Sequence, residues 1–125
     1  MFNIHDPKGM KRLFQLRVGL SPLNYHKKRH NFKDTLTDSC RCKLSPETTK
    51  HFLIYCNLFT KERYDMFQVI NPLLESKGFR LLDDDMIVKL LLYGHDTLNE
   101  TENTAVLSAT LKFIHESSRF DLDNE

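Results

Sequence analysis

Residues 39–56 read SCRCKLSPETTKHFLIYC and hold all three cysteines of the chain, spaced Cys40-x-Cys42-x8-His51-x4-Cys56. Three thiolates and one imidazole complete a tetrahedral donor set for zinc and leave no position open, as in a structural rather than a catalytic ion site. The local order fits that chemistry. A tight turn around Arg41 brings two thiolates together. Ser45-Pro46-Glu47 then reads as N-cap, first-turn proline and first-turn acid of a helix carrying His51, Phe52, Tyr55 and Cys56. Arg41, Lys43 and Lys50 offset the charge of three metal-bound thiolates. Spacing alone leaves a second arrangement open, with Cys56 a small buried hydrophobe on the Phe52 face, His51 at the surface, and Cys40 and Cys42 ordinary loop thiols. It also leaves His26 or His30 as a substitute fourth ligand.

Outward from this stretch, Leu23 to Ser45 shows no sustained period of 3.6 or 2 and reads as an irregular loop that a metal, rather than a core, must hold. Within it lies His26-Lys27-Lys28-Arg29-His30 with Lys33, interleaved with Tyr25 and Phe32. Such a cluster neutralises phosphates, and an aromatic can stack on an unpaired base. The same residues also read as an ordinary solvated loop.

The remaining signals are helical. Met10 to Val18 carries Leu13, Phe14 and Leu16 or Arg17 at helical spacing and stops at Gly19, with Ser21-Pro22 beyond. Thr60 to Leu74 fits a helix with Tyr64, Phe67, Ile70 or Asn71, and Leu74 on one stripe, which Pro72 bends or ends early. Asp83 to Asp85 opens a helix that buries Met86, Ile87, Leu90, Leu91 and Tyr93 and closes at Gly94. Asn99 with Glu102 is a capping box for a last helix running to about Ser118, with Val106, Leu107, Thr110, Phe113 and Ile114 inward. The expected class is mainly α, a small helical domain with an irregular zinc-knuckle loop near its N-terminal half.

At 125 residues one domain is expected, spanning residues 1–125. The net charge of +1 conceals a division. Residues 1–63 carry 13 Lys and Arg against 5 acids, and residues 64–125 carry 5 against 12. A basic half beside an acidic half points to an anion-binding region joined to a partner-binding one. An odd cysteine count does not make a disulfide framework, and MFNIHDPKGMKRLF lacks the apolar run of a signal peptide, so an intracellular protein of nucleus or cytoplasm is expected. The apolar stretches Met86–Tyr93 and Val106–Ile114 are too short for a membrane span.

The run from Leu16 to Arg63, LRVGLSPLNYHKKRHNFKDTLTDSCRCKLSPETTKHFLIYCNLFTKER, resembles the segment after the polymerase core in reverse transcriptases of non-LTR (LINE-type) retrotransposons. The shared elements are LRxGLSxL, H-N-F, C-x-C, a glutamate before H-F-L, a cysteine, Leu-Phe and a charged E-R. The resemblance continues through LLYG (Leu91 to Gly94) into ATLKFIHESSRFD (Ala109 to Asp121), and its most specific part is the CCHC element. It implies a zinc-binding region with Cys40, Cys42, His51 and Cys56 as ligands, the four that the spacing also selects. The chain departs from the family in lacking the Tyr-x-Asp-Asp polymerase motif and an endonuclease domain. Lys43-Leu44 also stands where members carry a glycine after the second cysteine, so the knuckle turn is expected to differ.

No Walker loop, G-x-G-x-x-G or serine elbow occurs around which catalysis would be built. Asp83, Asp84 and Asp85 point in different directions at a helix start and read as capping. His95 reads as a turn residue, and His115 as lying on or beside a helix face. The expected function is therefore non-catalytic: zinc binding with a grip on RNA or DNA through Lys27, Lys28, Arg29 and Lys33, and with Tyr25 or Phe32 stacking on a base. Neither a small-molecule substrate nor a membrane partner is expected. A helical module whose acidic half docks on a protein, or a decayed retroelement fragment without metal or nucleic-acid binding, are the alternatives the sequence leaves open.

Overall fold

The periodicities above resolve into a mainly helical chain in the computed structural model, which describes residues 6–30, 37–79 and 82–120. The elements are α1 (Pro7–Val18), α2 (Asn24–Arg29), a π-helical turn (His51–Tyr55), a 3-10 turn (Asn57–Phe59), α3 (Thr60–Ser76), α4 (Asp84–Tyr93) and α5 (Glu100–Ser117). Among the described residues there is no strand, only an isolated antiparallel bridge between Ser39 and Pro46. No described helix is long and apolar enough to cross a membrane.

Helix α5 forms where its local signals place it. Asn99 accepts the Glu102 amide at 2.8 Å, and the Glu102 carboxylate accepts the Asn99 amide at 2.9 Å, so two otherwise orphaned N–H groups are satisfied reciprocally. All five residues expected inward, Val106, Leu107, Thr110, Phe113 and Ile114, are buried. Helix α5 packs against α1, α3 and α4, so the core surrounds it. At its C-terminal end an aromatic cluster forms around Phe52, whose ring centroid lies 5.1 Å from Phe113, 5.3 Å from Phe59 and 5.6 Å from Phe120. Edge and tilted contacts of this kind add about 0.5–1.5 kcal/mol per pair beyond area burial. The cluster sits directly beneath the cysteine loop, because Phe52 follows His51.

Gly94 closes α4 at φ 76°, and a Cβ there would meet Asn103 Oδ1 at 2.5 Å. That oxygen accepts the His95 amide at 2.8 Å, while Asn103 Nδ2 donates to the carbonyls of His95 and Leu98. Asn103 thus staples the turn, with His95 in it as expected, and leaves room only for glycine.

Several expectations are corrected. Leu23 to Ser45 is not irregular throughout, since it contains α2, a helix of six residues that is too short to show a period. Helix α1 begins at Pro7 with Asp6 as N-cap, and α3 runs through Pro72 to Ser76. On α3 the buried stripe is Met66, Ile70 and Leu74, and Tyr64 faces water. On α4, Leu92 is buried with Leu90 and Leu91, while Met86 and Tyr93 are exposed. Neighbouring helices decide which flank of an amphipathic stripe is covered, and spacing within one helix does not carry that information.

Candidate metal centre

The loop that carries the cysteines is closed by its own backbone. Glu47 donates to the Asp38 carbonyl at 2.7 Å, Cys40 to Ser45 at 2.9 Å, and Lys43 to Cys40 at 2.9 Å. The last bond makes a tight turn around Arg41 and Cys42. It leaves Lys43 at φ 65°, in the left-handed region that favours glycine. The knuckle turn forms with a lysine in this position, at the cost of its left-handed backbone.

The second pair of ligands comes from the π-helical turn. In an α-helix, residues five apart lie roughly 140° out of phase around the axis. His51 and Cys56 would then point to different sides. Here the Cys56 amide bonds the His51 carbonyl at 2.8 Å, an i to i+5 closure that widens the turn and brings both side chains to one side. The helix opens later than Ser45. Thr48 caps it, its hydroxyl accepting the His51 amide at 3.0 Å, while the freed Ser45 hydroxyl lies 2.9 Å from His51 Nδ1. Ser45 also donates to the Pro46 carbonyl at 2.9 Å, which leaves its oxygen able to accept from Nδ1, the arrangement that frees the Nε2 lone pair for a metal.

The ligand atoms of Cys40, Cys42, His51 and Cys56 all lie within 4.8 Å of one another, and the four residues together can hold a metal ion. Cys40 Sγ lies 3.6 Å from Cys56 Sγ, and Cys42 Sγ lies 3.2 Å from His51 Nε2. Ligands on a zinc tetrahedron with ordinary Zn–S and Zn–N bonds are about 3.5–3.8 Å apart, so the cluster is close to the required size. Backbone amides of Cys42, of Leu44 and Ser45, and of Leu58 stabilise the thiolates of Cys40, Cys42 and Cys56 respectively. Burial pushes the Cys40 thiol up to about 12 and raises Cys56 as well. Burial also acts upward on Cys42, but the amide and neighbouring thiol hydrogen bonds outweigh it and the thiol is lowered. Deprotonating all three thiols in this volume would require a cation beside them, and the Cys3His donor set is compatible with a metal ion such as zinc.

His26 and His30 are not in the cluster. His26 Nδ1 accepts the Ser21 amide at 3.2 Å and lies 2.7 Å from the Ser21 hydroxyl, while His30 Nε2 lies 3.3 Å from the Gly19 carbonyl. Ser21 and His26 are 2% and 6% exposed, so this hydroxyl–imidazole pair is sealed inside the α1–α2 corner.

Of the residues expected to meet nucleic acid, Lys28 and Arg29 are exposed at the end of α2, and Lys27 and Tyr25 are half-buried. Phe32 and Lys33 lie outside the described residues. Helix α2 docks onto the loop, because Asn24 Nδ2 donates to the Ser39 carbonyl at 2.8 Å and the Tyr25 amide to Glu47 at 3.3 Å. The N-terminal basic charge does not all face water. Arg12 is buried and stacks on Phe120, and Arg63 donates to the carbonyls of Leu53 and Phe52 at 2.8 and 3.0 Å.

Glu47 and Arg119 hold the site to the rest of the molecule. Glu47 is 1% exposed, and its carboxylate takes a two-pronged contact from Arg119, 2.6 and 2.7 Å long, plus the Asn24 amide at 2.7 Å. Arg119 also donates to Pro22. Glu47 lies ahead of the helix rather than in its first turn, where local spacing places it. A pair 72 residues apart leaves no mark in local spacing.

Comparison with protein-family models, curated proteins and solved structures finds no match for this chain.

Proposed function

We propose that this chain is a zinc-stabilised, non-catalytic nucleic-acid-binding module, akin to the C-terminal zinc-binding region of LINE-type reverse transcriptases. The observation that carries the reading is the convergence of Cys40, Cys42, His51 and Cys56 on one ion-sized space, with the basic helix α2 docked on the same loop. Zinc, when bound, supplies a fixed tetrahedral crosslink and no chemistry of its own. Cys40 and Cys42 anchor the knuckle turn, His51 and Cys56 the π-helical turn, and Ser45 orients His51. Lys27, Lys28 and Arg29 then meet phosphate, joined by Arg41 and Lys43 from the knuckle.

The elements that carry the family resemblance also touch one another, which supports it. Arg17 of the LRxGLSxL stretch donates to Leu92 at 2.6 Å and stacks over Tyr93 of LLYG. Ser21 of the same stretch holds His26. The glutamate before H-F-L pairs with Arg119 of the tail.

Binding of single-stranded RNA across a salt series tests the reading. A steep log–log salt dependence, made shallower by about three when Lys27, Lys28 and Arg29 are all changed to alanine, is the expected result. A zinc-loaded protein that binds no RNA or DNA at low salt would overturn the nucleic-acid part and leave a helical protein-docking module in its place.

A further inference from the structure

Beside His51 the surface opens into a cleft of about 420 Å³ lined by Leu44, Ser45, Thr48, Lys50, His51 and Tyr55. Two of its walls are apolar and uncovered, with Leu44 72% exposed and Tyr55 54%. Leu58, just past the last cysteine, is exposed too. Single exposed apolar residues are ordinary, but here three stand around one metal centre and two of them face one concavity. The knuckle turn that presents Leu44 carries exposed Arg41 and Lys43 immediately before it. Lys50, which also lines the cleft, is engaged by Asp85 at 2.9 Å, one of the acids that open α4. An anionic strand is therefore attracted on the knuckle side and repelled on the α4 side.

We infer that this cleft takes one unpaired base of a single-stranded nucleic acid, stacked on the Tyr55 ring against Leu44, with the adjoining phosphates on Arg41 and Lys43. The inference rests on the nucleic-acid reading above and adds a base-binding position distinct from Tyr25 and Phe32. A base suits the walls because its flat face needs only an aromatic and an aliphatic surface, whatever its sequence. At the polar edge, Thr48 Oγ1 accepts the His51 amide and, among the described residues, still has its own proton to donate. A peptide with an apolar anchor would also fill the apolar walls, but the exposed cations of the adjoining knuckle turn, Arg41 and Lys43, with Lys50 already engaged by Asp85, match a phosphodiester strand leaving along that turn.

The test uses the full chain, zinc-loaded, and a short single-stranded RNA with one fluorescent purine analogue. The expected result is quenching of the analogue on binding. Tyr55→Ala abolishes the quenching and weakens binding about ten-fold, Tyr55→Phe keeps both, and Leu44→Ser weakens binding in the same direction. Zinc content of one equivalent in each variant establishes that the knuckle is intact. Unchanged affinity and quenching in Tyr55→Ala, equal affinity for a duplex of the same sequence, or displacement of the RNA by an acidic peptide without competition at Lys27, Lys28 and Arg29 would each overturn the cleft while leaving the broader reading in place. Failure of the unmodified protein to bind any oligonucleotide overturns both.

Discussion

Lys43 carries a conformational cost at a position that the proposed function assigns to phosphate contact. Its left-handed backbone is disfavoured for any residue with a Cβ by roughly 1 kcal/mol. Lys43→Gly should therefore raise the urea midpoint of the zinc-loaded protein by an amount worth about 1 kcal/mol, leave zinc content unchanged, and lower the salt dependence of RNA binding by about one. The knuckle loop tolerates a lysine there because its side chain stands free in solvent, where a phosphate can reach it. His26 offers a second residue-scale test. Burial, then the nearby His30 and Arg29 charges, lowers its pKa below 6.5 against an opposing effect of Glu47. The unfolded chain thus takes the proton first, so the stabilisation present above pH 6.5 declines as pH falls below it. Ring-proton NMR titration should place the His26 midpoint below 6.5; a midpoint above it would contradict the buried, neutral, Ser21-bonded ring.

At the scale of elements, the π-helical turn decides whether the ligands meet. Arg63 from α3 donates to the Phe52 and Leu53 carbonyls of this turn while its guanidinium lies over Phe113. Charged hydrogen bonds of this kind contribute about 1.5–3 kcal/mol, so Arg63→Met should lower stability by about 2–3 kcal/mol in denaturant unfolding of the zinc-loaded protein. A loss below about half a kcal/mol would show that the turn holds itself. The same elements mark how far the sequence could be read. Helix α5 was legible in full, because a capping box and a five-residue inward stripe are local signals. Helix α2 was not, because six residues cannot express a period. The four ligands were legible from their spacing, yet the π-helical turn that lets His51 and Cys56 meet was not, and neither was Thr48 replacing Ser45 as the cap. A hydroxyl can cap a helix or orient an imidazole, and only the folded loop decides which.

For the whole molecule, Glu47 and Arg119 join the metal loop, α2 and the end of α5 in one buried contact. Removing either partner leaves the other's charge uncompensated, which costs about 3–5 kcal/mol, whereas removing both costs less than the sum. Glu47→Ala and Arg119→Ala should each destabilise by that amount, and the double variant should fall well short of additivity; additive losses would mean that the pair does not act as a unit. Such long-range coupling, together with the inward turn of Arg12 and Arg63, is why the charge division between halves overstates the basic surface. The two halves that composition separates are joined through α5, against which α1, α3 and α4 all pack. A metal ion held by Cys40, Cys42, His51 and Cys56 would tie the same loop down at a second point. The thiols must lose their protons to ligate it, so under the zinc proposal the ion should be released as pH falls from neutrality toward 5. The most direct test of the account is native mass spectrometry of the purified chain after mild preparation at neutral pH. The account predicts one zinc per chain, lost in Cys56→Ser; less than a tenth of an equivalent in the unmodified protein would contradict it.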